Sequence, residues 1–195
     1  MFDVLTALRD TDGLLEGHFI LKSGLHSDRY FNKDAIYTHP DIMWEIGQAI
    51  ALEAETELSA PFDIVLGPAM GGVILSQWAA EGLKPIYPEI RAIYAEKVGG
   101  GSLFTIKRGY DKMIKNKRIL IVEDIVTTGG SIHQLASLVP QYGGVVAGAV
   151  CLVNRGGVNW PWLRSLSTVN VQTWKPEDCP LCKDCIPVNK DVGHG

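Results

Sequence analysis

The stretch that decides the fold is RILIVEDIVTTGGSI, residues 118–132. Ile119, Leu120, Ile121 and Val122 form a short unbroken apolar run, the pattern of a strand buried on both faces in a parallel sheet. Glu123 and Asp124 stand where that strand is expected to end. Thr127, Thr128, Gly129, Gly130 and Ser131 then form a small, hydroxyl-rich turn ahead of a segment that can run as a helix. Ligands of open α/β sheets bind beyond the carboxyl ends of the strands, where a helix N-terminus offers free N–H groups to an anion. Carboxylates accept hydrogen bonds only, so one end of this loop suits hydroxyl groups and the other suits phosphate.

Outward from this stretch, strand, turn and helix alternate. Phe2–Leu15 carries Val4, Leu5, Leu8, Leu14 and Leu15, fitting a short amphipathic helix that ends near Gly13 or Gly17. Gly17–Lys33 mixes β-formers with an SGLHS turn and reads as a small hairpin, a hood outside the main sheet. Pro40 opens a helix to about Glu57, with Ile42, Met43, Ile46, Ala49 and Ile50 on its apolar face. Phe62–Leu66 is a strand, followed by the turn GPAMGG (67–72) and a helix over Val73–Gly82. Lys84–Lys97 holds one or two strands with Ile86, Tyr87, Ile93 and Tyr94 as the apolar set. Gly99, Gly100, Gly101 and Ser102 are suited to a mobile lid, and Phe104–Tyr110 to its returning arm. A helix to about Tyr142, a strand Val145–Val153 and a last edge strand Val169–Trp174 complete a parallel, doubly wound α/β sheet.

Composition is that of a soluble globular chain: 195 residues, 46% hydrophobic, 21% charged, net charge -4. No apolar run approaches the ~18 residues of a membrane span, and MFDVLTALRD has no basic leader-like start. The expectation is a cytoplasmic protein that recognises neither nucleic acid nor membrane, since the charge balance provides no basic surface for either.

The 118–132 stretch resembles the PRPP-binding motif of the type I phosphoribosyltransferases. LKSGLHSDRYF (21–31) is similar to the SG-x-x-S-x-x-YF element of the orotate phosphoribosyltransferases within that group. The resemblance implies a type I phosphoribosyltransferase fold over residues 1–195 as a single domain, with a hood at 1–37 and a cysteine-containing tail at 175–195. It implies transfer of 5-phosphoribosyl from PRPP to orotate. PRPP would be held by Glu123, Asp124, Ile125, Val126, Thr127, Thr128, Gly129, Gly130 and Ser131, with Gly71 and Gly72 of GPAMGG beside the diphosphate. Orotate would meet Lys22, Tyr30, Phe31, Thr127 and Arg155, the arginine being suited to a planar carboxylate.

Lys97, Lys107, Arg108 and Asp124 are the implied catalytic set, the three cations belonging to a lid contributed across a homodimer. Mg²⁺ would be bound mainly through PRPP and diphosphate oxygens. The chain departs from the family at three points: Met70–Gly72 replace a loop lysine, the lid lacks a histidine, and Asn154 stands where aspartate is common. A phosphoribosyltransferase for another base, or a PRPP-sensing regulator of the same fold, is the alternative reading.

Cys179, Cys182 and Cys185 form C-x-x-C-x-x-C. That spacing could hold zinc if Cys151 or His194 supplied a fourth ligand. CPLC tails also occur in a subset of the family, which implies a metal-free tail, and no protein metal ligand is assigned. Trp160, Trp162 and Trp174 are expected to pack the tail or a dimer face.

Overall fold

The computed structural model describes residues 2–21, 23–190 and 192. A six-stranded sheet has the order β5-β4-β3-β6-β7-β8, and β3, β4, β6, β7 and β8 run parallel. These strands are β3 Ile64–Pro68, β4 Arg91–Lys97, β5 Phe104–Thr105, β6 Arg118–Val126, β7 Val145–Asn154 and β8 Leu163–Thr168. On one face lie α3 (Pro40–Glu57) and α4 (Gly71–Leu83), packed on Leu120 and Val122. The other face carries α6 (Gly130–Leu138) over Ile119 and Ile121. Alternate residues of β6 thus enter different cores, which is why its sequence is apolar without a break.

The hood is a second sheet, in which β1 (Leu14–Ile20) pairs antiparallel with β2 (His26–Phe31) and β2 with β9 (Thr173–Trp174). The helix expected over Phe2–Leu15 is α1, Val4–Asp10, and it stops earlier. Asp3 caps its start by accepting from Leu5 N–H at 3.0 Å. Leu14 and Leu15 belong to β1, because the Thr11–Gly13 turn breaks the helical period.

Three further expectations are corrected. Ile86 and Tyr87 lie in the turn after α4, not in a strand, since Pro85 and Pro88 remove ladder donors on either side of them. The last edge strand of the main sheet is β8, LRSLST, whose half-exposed residues show neither a continuous apolar run nor clean alternation. In Val169–Trp174 the strand is only Thr173–Trp174, and it pairs with the hood. Finally, β6 runs past the acidic pair to Val126, pairing with β7 as Glu123↔Cys151 and Val126↔Asn154. Among the described residues no helix is long and apolar enough to cross a membrane.

Candidate active site

Continuation of β6 through the acidic pair has a direct consequence. Adjacent strand residues point to opposite faces, so the two carboxylates serve different sides of the sheet end. Asp124, 2% exposed, points to the α4 side. Its Oδ2 accepts from Lys33 Nζ at 2.8 Å and from Tyr37 OH at 3.1 Å, and its Oδ1 accepts from Ile125 N–H at 2.6 Å. Lys33 lies in the short α2, Lys33–Ile36, and Tyr37 caps it. Burial lowers the lysine's proton affinity, but the charge and hydrogen bond of Asp124 outweigh that and raise it overall. Burial, reinforced by Asp124, pushes the Tyr37 phenol far up. Gly71 opens α4 here because there is no room for a side chain: a Cβ would sit 1.9 Å from Asp124 Oδ2.

Glu123, 7% exposed, points to the α6 side. Burial first, and then the charge of Asp124, push its carboxyl up to about 8 against the opposing pull of Lys33. It borders a cleft of about 340 Å³ lined by the 125–132 loop and, from the opposite wall, Lys97, Ser102 and Phe104. The loop glycine Gly129 has φ +74°, and a Cβ there would lie 2.4 Å from the Trp160 ring. Only glycine allows that turn without displacing the indole. Gly129 directly precedes α6, whose free N–H groups face the cleft end of the helix. The cleft therefore joins a carboxyl group, hydroxyls, a helix N-terminus and a lysine. Wider depressions of about 680 Å³ near Phe62 and Arg91 and about 770 Å³ near Trp160 and Trp162 bring together no comparable set. The first also opens at the amino ends of β3 and β4, the wrong end of the sheet for ligand.

The segment expected to form a lid is the hairpin between β4 and β5, closed by Val98 N–H to Leu103 O at 2.8 Å, with Gly99 and Gly100 at φ +56° and +73°. Of the lid cations, Lys97 lines the cleft while Lys107 and Arg108 do not. Arg108 pairs with Glu96 and lies 6.0 Å over the Tyr94 ring.

Arg155 follows β7 and is positioned by its backbone N–H, 2.8 Å from Val126 O. Asn154 does not hold the guanidinium. It clamps the turn, donating from Nδ2 to Val158 O at 2.7 Å and accepting from Gly156 N–H at 3.1 Å. The Arg155 guanidinium carbon lies 5.8 Å over Phe31, and its buried Nε meets no acceptor. Burial lowers its proton affinity. Phe31 is thus beside Arg155, whereas Tyr30, on the other face of β2, packs on Phe19 at 5.7 Å. Lys22 lies outside the described residues. Gly67 and Gly72 fold GPAMGG tightly, a Cβ on Gly67 falling 2.0 Å from Gly72 O. Lys33 and Tyr37 are the site residues that sequence reasoning missed. Tyr37 is 87 positions from Asp124, and no local spacing marks either residue.

The phosphoribosyl transferase domain family matches residues 32–179. The chain is 36% identical over 186 residues to the orotate phosphoribosyltransferase of Caldicellulosiruptor saccharolyticus, covering 93% of this chain and 91% of that one. It is 36% identical over 194 residues to the Thermotoga maritima enzyme of the same name, covering 96% of each. Among solved structures, orotate phosphoribosyltransferase from Aeropyrum pernix superposes with a TM-score of 0.65 at 24% identity, over 85% of this chain and 93% of that one. Adenine phosphoribosyltransferase from Saccharomyces cerevisiae also shares the fold, with a TM-score of 0.62 at 18% identity over 83% and 99% of the two chains. By the extent of these matches, and by an acidic pair and glycine loop at the carboxyl end of a parallel sheet, the chain belongs to the orotate phosphoribosyltransferase family.

Proposed function

We propose that this chain transfers 5-phosphoribosyl from PRPP to N1 of orotate, giving orotidine 5′-monophosphate and diphosphate. The observation that carries the choice of base is Arg155, whose buried Nε has no acceptor while its guanidinium lies over Phe31. A flat ring carrying a carboxylate answers both features, by stacking on Phe31 and by accepting from the arginine fork. A purine base has no carboxylate to offer.

The chemistry follows from position. The 125–131 loop and the α6 N-terminus take the 5′-phosphate. An ionised carboxylate has about four acceptor sites; three protein donors reach Asp124, which leaves room for a ribose hydroxyl. Glu123 faces the sugar from the other side of β6. As the C1–O bond to diphosphate breaks and the N1–C1 bond forms, the sugar gains positive charge and the leaving oxygens gain negative charge. Asp124 answers the first and Lys97 the second. Closure of the 98–103 hairpin over the cleft excludes water.

Mg²⁺ would neutralise the diphosphate. Both oxygens of Asp124 are engaged by protein donors and Glu123 is buried, with its carboxyl pushed up by that burial, so the donor set fits an ion carried by ligand oxygens and not a protein cage. Lys107 and Arg108, outside this chain's own cleft, fit a homodimer in which they serve the neighbouring subunit. A cytoplasmic location completes the reading. The test mixes protein, PRPP, Mg²⁺ and orotate and follows orotate absorbance and released diphosphate. Loss of absorbance with stoichiometric diphosphate is expected, and turnover of adenine in place of orotate would overturn the base assignment.

A further inference from the structure

The hood and the tail meet at a group of side chains that the transfer reaction does not use. His18 of β1 and His26 of β2 point to the same side of the hairpin, where Cys179 and Cys182 arrive from the tail. The four ligand atoms, one from each residue, all lie within 4.8 Å of one another. His18 Nε2 is 2.7 Å from His26 Nδ1 and 3.7 Å from each of the Cys179 and Cys182 sulfurs, while Cys182 Sγ is 3.3 Å from His26 Nδ1. His18, His26 and Cys179 are buried. We propose that His18 Nε2, His26 Nδ1, Cys179 Sγ and Cys182 Sγ form a structural zinc site that staples the C-terminal tail to the hood.

The geometry favours a tetrahedral ion. With metal–nitrogen bonds of ~2.0 Å and metal–sulfur bonds of ~2.3 Å, the edges of a tetrahedron are roughly 3.3 Å between nitrogens and 3.5 Å between nitrogen and sulfur. Three nitrogen–sulfur edges already fall at 3.3 to 3.7 Å, and the histidine pair has to open by about 0.6 Å to reach the nitrogen–nitrogen edge. His18 is also set in the required tautomer. Its Nδ1 lies 2.7 Å from Ile186 O, a carbonyl that can only accept, so Nδ1 carries the proton and Nε2 presents its lone pair inward. Two thiolates with two imidazoles select zinc over the harder magnesium or calcium, and four protein ligands leave no open position for catalysis.

This ligand set differs from the one suggested by C-x-x-C-x-x-C. Cys151 is buried in β7 opposite Glu123. Cys185 is exposed, at φ +55°, and is not one of the four clustered residues, while His194 lies outside the described residues. Among the described residues the tail also meets the hood through Asn189 N–H to His18 O at 2.8 Å, through Ile186 O at His18 Nδ1 and through the two-residue strand β9. Its terminal helix has only four residues, too short to be stable alone. A metal would add a four-ligand anchor to these bonds.

Full-length protein, expressed with zinc and purified without chelator, should contain about one zinc per chain, since binding and folding of such sites are coupled. Cys185→Ser should keep the full complement. Cys182→Ser, at an exposed position that tolerates the change, should lose at least ninety per cent of it. Cobalt substituted for zinc should give the intense visible bands of a tetrahedral thiolate site in wild type and Cys185→Ser, and not in Cys182→Ser. Chelator should lower the melting temperature of wild type and leave that of Cys182→Ser unmoved. Wild type that neither contains zinc nor binds cobalt overturns the proposal. So does loss of metal on Cys185→Ser, or a Cys179–Cys182 disulfide in rapidly alkylated protein.

Discussion

Glu123→Gln should stabilise the protein at alkaline pH and lower its PRPP turnover. The native state holds this carboxyl with its proton affinity pushed up to about 8, by burial first and then by Asp124. In the unfolded chain it ionises near the ordinary value of 4.5. Between those pH values the native state keeps a proton that the unfolded state has released. The unfolding free energy therefore falls as pH rises from about 4.5 towards about 8, and levels off above it. At 1.36 kcal/mol per pH unit the ceiling is ~5 kcal/mol, and water entry and relaxation bring the realised value to ~2–3 kcal/mol.

Glutamine has the shape of the neutral acid and does not titrate. Urea unfolding of wild type and variant at pH 5, 6, 7 and 8.5 gives the comparison directly. The two should be close in stability at pH 5, and Glu123→Gln should lead by ~2–3 kcal/mol at pH 8.5, while PRPP turnover falls. Parallel pH profiles for the two proteins would refute the reasoning, because they would mean that this carboxyl carries no burial cost. A variant that is more stable yet turns over more slowly is the signature of a group kept buried for function.

Lys33→Met leaves a 2%-exposed carboxylate without its cation. It should cost ~2 kcal/mol in urea unfolding, discounted for the half-open lysine, and raise the KM for PRPP. Tyr37→Phe should cost ~1–2 kcal/mol by the loss of one hydrogen bond to a charged group, measured the same way. Arg155→Ala should raise the orotate KM roughly 100-fold, equivalent to ~2.7 kcal/mol, with PRPP KM little changed, and Arg155→Lys should not restore it because a point charge lacks the fork. Gly129→Ala should lower stability by ~1–3 kcal/mol through its left-handed φ and the collision with Trp160. Thermal melts of the double variant Gly129→Ala, Trp160→Leu should recover the collision part alone.

What the sequence reveals depends on whether the physics is local. Pro40–Glu57 is readable because its proline start and apolar face lie within the segment, and the helix spans those residues. The hood hairpin is readable because its turn carries its own glycine. β8 is not, since an edge strand with half-exposed residues has no pattern to show. In the site, the loop at 125–131 announces itself by composition, whereas Lys33 and Tyr37 matter only because α2 brings them across the sheet end to Asp124. The cysteines show the same limit. Spacing groups Cys179, Cys182 and Cys185, but a four-residue helix with a left-handed residue after it turns Cys185 away, and the complementary ligands come from a hairpin at the other end of the chain.

The alternation of β6 also explains how one strand can serve two parts of the site. Glu123 answers to the α6 loop and the 98–103 hairpin, while Asp124 answers to α2, which directly follows the hood strand β2. A sugar seated between them would feel the lid through one carboxyl group and the hood through the other. Because Lys33 sits two residues after Phe31, the same short segment that places a ring beside Arg155 also supplies the cation beside Asp124. A shift of the hood would thus move the ring beside Arg155 and the cation beside Asp124 together.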